Sequence, residues 1–194
     1  MGAWMTDQGG YVLGLLAIIS GLAISTLVSN LHHLIVARRR VRWDWLLLMV
    51  AAFVTLNIVA GWWTSWRTLR SIGPEVTLWQ FVLILAQLVA LYLTARAVFP
   101  ELAPRKELDL AAHYVSRRRY IWVSFVVLYA LLIVAGVLKL GLSWPVIVSM
   151  RNFWFGLVLA GALAVVPSRR IHAVLVPLTL LLSAALILPM PLGG

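Results

Sequence analysis

The residues able to do chemistry are few, and most lie at the edges of apolar runs. The histidines are His32, His33, His113 and His172, and Asp44 and Asp109 fall beside the same arginine clusters. Imidazoles ligate metals or haem iron, so His33, His113 and His172 are the positions to consider for a metal. Successive residues on a helix point about 100° apart, so His32 and His33 cannot easily share one site. The simpler reading is that all four are interfacial polar residues; neither a metal site nor a cofactor is predicted. A different chemistry is open to Arg151 and Asn152, which fall inside an apolar run. A guanidinium at membrane depth marks a functional or paired site, and with an amide beside it could hold an anion. Trp62, Trp66 and Trp154, with Trp63 and Trp144, would lie at a similar depth and offer aromatic walls. The competing reading is snorkelling, in which the Arg151 side chain reaches the headgroups. A third set is Asn57, in the middle of the second span, with Gln80, Gln87 and Thr94, which are spaced by seven and so share one face of the third. Such a stripe faces another helix or a wet cavity, and could line a permeation path.

These residues are carried by apolar segments. Hydrophobic residues make up 63% of the 194 positions and charged residues 11%, against about 25% charged in soluble domains. The water-soluble class is therefore excluded. The stretch Ala37 to Trp45, ARRRVRWDW, joins two apolar runs and cannot enter hydrocarbon, so it forms the cytoplasmic tip of a hairpin. Lengths of about 20 apolar residues then predict six transmembrane helices, over about residues 11–36, 45–66, 77–98, 120–138, 145–166 and 171–188. The fold class is all-α, a single polytopic membrane domain over residues 1–194.

The fifth span depends on where its helix starts. From Asn152 it has only 15 residues; a helix beginning at Pro145, with Ser143 as cap, has 22 and reaches about 33 Å. Between spans three and four, Phe99 to Arg119 is hydrophilic. Pro104 could start a short amphipathic cytoplasmic helix there, with Leu108, Ala111, Ala112 and Val115 on its apolar face and Asp109 able to pair with His113. Gly73 and Pro74 should stop the second helix, and Pro189 and Pro191 the sixth.

Six spans put both termini on one side, and the charges say which. Arg38, Arg39, Arg40, Arg42, Arg96, Arg105, Lys106, Arg117, Arg118, Arg119, Arg169 and Arg170 fall at one end, against Arg67, Arg70, Lys139 and Arg151 at the other. Twelve against four places both termini outside. The net charge of +10 is clustered beside apolar spans, which suits anionic headgroups at the cytoplasmic face and not nucleic acid. Cysteine is absent, which removes disulfides and thiolate chemistry. No carboxylate lies mid-span, and GxGxxG, HExxH and Walker-type sequences are missing.

The HHLIVARRRVRWDW segment followed by a Trp-rich second span resembles a group of uncharacterised small bacterial multi-span membrane proteins, over residues 31–66. The resemblance implies a bacterial inner-membrane location and brings no catalytic or binding residues with it. Together these readings describe a small transporter or channel-like protein with an outer anion site. Small residues on its spans favour a homo-oligomer. The alternatives are a non-catalytic subunit that binds a partner membrane protein, and an enzyme acting on a lipid headgroup, with His32 or His113 beside Asp44 or Asp109.

Overall fold

Backbone in an apolar solvent must satisfy its own polar groups, and the long apolar runs of this chain do so as helices. The computed structural model describes residues 8–72, 77–100 and 107–187. The helix-stop positions Gly73, Pro74, Pro189 and Pro191 and the loop positions Pro104, Arg105 and Lys106 lie outside the described residues. Helix α1 (Gln8–Val36) leads through a single 3-10 turn (Arg38–Arg40) to strand β1 (Val41–Arg42) and then α2 (Trp45–Ile72). Helix α3 (Leu78–Val98) returns, and strand β2 (Leu108–Asp109) precedes α4 (Leu110–Leu140). The chain closes with α5 (Trp144–Ser149), α6 (Arg151–Val165) and α7 (Arg169–Ile187).

Five of these helices, α1, α2, α3, α4 and α7, are long and apolar enough to cross a membrane; α6 is apolar but shorter. The segments expected at 11–36, 45–66 and 77–98 are the helical segments Gly10–Val36, Trp45–Trp66 and Leu78–Val98 to within a residue. Helix α4 packs on α3 and α6, α3 on α1 and α2, and α2 on α1 and α7. The aromatic centre of the core joins α2 to α4: Phe53 lies 4.8 Å from Phe125 and 5.8 Å from Trp122 between ring centroids. Many large apolar side chains face outward, among them Ile18, Val28, Val158 and Val174. A water-soluble bundle would bury these, whereas hydrocarbon accepts them.

Two elements differ from the sequence reading. The fourth span is not preceded by a separate amphipathic helix, because α4 runs unbroken for 31 residues, from Leu110 to Leu140. That is about 46 Å at 1.5 Å per residue, against an apolar layer of about 30 Å. Arginine is a good helix former, and no glycine or proline interrupts the segment before Gly136, so the helix continues past its apolar part. The buried face there is Leu110, Tyr114 and Ile121; Val115 points outward and Leu108 belongs to β2. Asp109 pairs with Arg42 at 3.4 Å and caps α4 by accepting the Ala112 N–H at 3.0 Å, instead of pairing with His113.

The fifth span is not one helix either. It breaks at Met150, whose backbone (φ −90°, ψ 9°) leaves helical geometry between α5 and α6. The expected start is kept, with Ser143 at the cap position and proline in the first turn. Both pieces together still cover about 33 Å. Met150 is buried against α4, where Gly136 leaves it room: a Cβ on Gly136 would overlap the Met150 methyl carbon.

Candidate functional site

The described connections before α2, before α4 and between α6 and α7 come together at one end of the bundle and bring arginines with them. Strands β1 and β2 pair in parallel, Val41 with Leu108 and Arg42 with Asp109, so the two arginine-bearing loops are joined by backbone. The Ala112 N–H and the Arg42 guanidinium hold the Asp109 carboxyl below its ordinary value, against an opposing contribution from desolvation.

A chain of buried polar groups fastens α4 to the turn between α6 and α7. The Trp122 indole N–H donates to the Tyr114 hydroxyl at 3.0 Å. The Tyr114 oxygen lies 2.5 Å from His172 Nδ1, and His172 Nε2 lies 2.9 Å from the Val166 carbonyl. A carbonyl only accepts, so Nε2 carries the hydrogen and Nδ1 takes the Tyr114 proton. Val166 follows the last residue of α6, where helix carbonyls lack partners, and it also accepts from Arg118. Both ring nitrogens of His172 are therefore committed. Nearby, Asp44 is buried, and its Oδ1 accepts from Arg169 at 2.6 Å.

Beside this closed network lies an open groove between α3 and α4, of about 750 Å³. Helix α3 contributes Tyr92, Leu93, Arg96 and Ala97, followed by Phe99 and Pro100; α4 contributes His113, Arg117 and Tyr120. The helical repeat explains this: residues 92 and 96, and 113, 117 and 120, fall on single faces. His113 Nε2 donates to the Ala97 carbonyl at 3.2 Å and ties the walls together. The described lining holds two guanidinium groups, one imidazole and two phenols, with no carboxylate among its described residues. Arg117 has no ion pair among the described residues.

The residues singled out in the sequence are placed as follows. Arg151 and Asn152 stand exposed in the first turn of α6. Trp154 is partly exposed on the same helix, which packs on α4. Trp62 instead packs against the cluster of Val12, Leu16 and Leu88 on α1 and α3, and Trp66 stacks on Trp63 at 5.1 Å. The two halves of the expected outer pocket thus sit on different helix packings. Of the polar set, Asn57 donates to the Phe53 carbonyl and Thr94 to the Ala90 carbonyl, each within its own helix. Gln80 accepts the Thr77 N–H at the start of α3, and Gln87 is half-buried. His33 is exposed next to His32, apart from the bonds that hold His113 and His172. No group of three histidines, cysteines or carboxylates that could hold a metal occurs among the described residues.

The sequence reading counted Arg96 and Arg117 only as charges and passed over Tyr92 and Tyr120. The available signal was their spacing, Tyr92 with Arg96 and His113 with Arg117 at one turn.

The fold and site define a helical protein with several membrane-length apolar helices and a cation-lined groove at its arginine-rich end. Comparison of the chain with protein-family models, curated proteins and solved structures finds no match.

Proposed function

We propose that this chain is a small integral membrane protein of transporter or channel type, in the bacterial inner membrane, that takes an anionic ligand in the groove between α3 and α4. The observation that carries the reading is the lining itself, with Arg96, Arg117 and His113 around one concavity, no carboxylate among its described residues, and Arg117 exposed and without an ion pair among them. The Arg117 guanidinium raises a positive potential along this wall, which a bound anion relieves. Guanidinium groups match the geometry of carboxylate and phosphate, and phenol hydroxyls add donors. A groove of about 750 Å³ is of the size that holds a small molecule. The lipid-headgroup enzyme reading called for His32 or His113 beside Asp44 or Asp109; Asp44 instead pairs with Arg169, Asp109 with Arg42, and His113 bonds the Ala97 carbonyl.

The test is thermal unfolding of the protein in detergent micelles, with inorganic phosphate or octyl phosphate as the probe. Ligand at a hundred times its dissociation constant stabilises by about 2.7 kcal/mol. The wild-type midpoint should rise with at least one probe, and the Arg117→Gln protein should lose most of the rise. A wild-type midpoint that moves with neither probe, or a variant that responds equally, would end the reading. Flux of the responding anion through proteoliposomes then separates a carrier from a receptor.

A further inference from the structure

We infer that the ligand of this groove is an anionic phospholipid of the surrounding bilayer, entering from the side and seating its phosphate between Arg96 and Arg117. The inference rests on the anion reading above and adds the source of the anion. It follows from how the lining residues sort along the groove. Helix α3 ends at the loop side while α4 begins there, and the bond between His113 and the Ala97 carbonyl sets their register. From the loop side inward the lining therefore runs from Pro100 and His113, through Arg96 and Arg117, to Tyr92, Leu93 and Tyr120.

A pocket for a soluble anion gains nothing from an apolar end. This groove has one, and it opens outward: Leu93 is 45% exposed and Tyr120 44%. Both walls belong to helices long and apolar enough to cross a membrane, so the apolar end of the groove faces the depth where acyl chains lie. Tyrosines sit at headgroup level, with the ring toward hydrocarbon and the hydroxyl toward water. Guanidinium groups one turn further out meet the level of a lipid phosphate, and the buried Phe99 also lines the groove. A single amphiphile with a phosphate head and an acyl tail satisfies both ends together.

The experiment is native mass spectrometry of the protein released from nanodiscs of equal phosphatidylglycerol and phosphatidylcholine. Wild-type protein should retain phosphatidylglycerol over phosphatidylcholine by about tenfold, or about 1.4 kcal/mol, because the choline cation offsets the charge of a phosphate that both lipids carry and is repelled by the same guanidinium groups. The Arg96→Gln/Arg117→Gln protein should retain both lipids nearly equally, while Arg38→Gln/Arg39→Gln, changed at the same end but outside the groove, keeps the preference. Leu93→Trp, which fills the apolar end and leaves both charges, should also lose the preference, and saturating inorganic phosphate should not displace the lipid. If phosphate stabilises the protein but neither lipid is preferred, the anion site stands and the lipid inference falls. Binding of neither lipid nor phosphate removes both. An equal loss in the Arg38→Gln/Arg39→Gln protein would mean diffuse surface charge, and would also overturn the inference.

Discussion

Tyr114 shows what a single atom holds together. Its hydroxyl accepts from Trp122 and donates to His172, and all three side chains are buried. A buried donor or acceptor left without a partner costs about 1–3 kcal/mol, so Tyr114→Phe, which strands two, should destabilise by about 2–4 kcal/mol. Unfolding in mixed detergent micelles checks this, and a double-mutant cycle with Trp122→Phe identifies the cause. If the hydroxyl bridges the two, the pair of changes should fall short of additivity by about 1 kcal/mol; additive losses would mean that the bridge carries no energy. None of this was legible in the sequence, where Tyr114 lay in a hydrophilic stretch and His172 was one of four edge histidines. Hydrophilicity reports what surrounds a residue along the chain. Burial at Tyr114 comes from side chains brought in from elsewhere in the fold, His172 on α7 being 58 residues away.

At the scale of elements the long apolar runs were readable, because membrane length and apolar composition leave few choices. The continuity of α4 was not, since charge predicts depth in the bilayer and not where a helix ends. The break at Met150 was equally hidden: no proline or glycine stands beside it, and the room for its side chain is made by Gly136 on another helix. Glycines in this seam matter where those on α1 do not. A Cβ on Gly156 would stand 2.6 Å from two ring carbons of Tyr129, whereas one on Gly21 meets nothing within 4 Å. Gly156→Ala should therefore cost about 1–3 kcal/mol through forced repacking of α6 on α4. Gly21→Ala should be neutral or stabilise by up to about 1 kcal/mol through helix propensity. The same unfolding measurement ranks the pair, and the opposite order would show that α6 does not lie against α4 in this register.

The whole molecule is asymmetric along its helices, and that asymmetry was the feature most open to reading from sequence alone. Ten of the described arginines stand at the end where β1 pairs with β2, from Arg38, Arg39, Arg40 and Arg42 to Arg169 and Arg170, with Arg96 and Arg117 to Arg119 between them in sequence. The sequence reading grouped these charges through the positive-inside rule; the structure gathers them by backbone pairing, the buried Asp44–Arg169 contact and the bonds to Val166. Orientation then decides which leaflet the groove can sample. Since the chain has no cysteine, one introduced thiol reports its own side of the membrane without background. Ser116 and Ser143 are both exposed, the first beside Arg117 and the second at the far end, before α5. With the arginine-rich end inside, Ser143→Cys should react with an impermeant maleimide in intact cells, and Ser116→Cys only after the membrane is opened. The reverse pattern would turn the molecule over, putting the groove in the outer leaflet and the arginine-rich end outside, against the positive-inside rule.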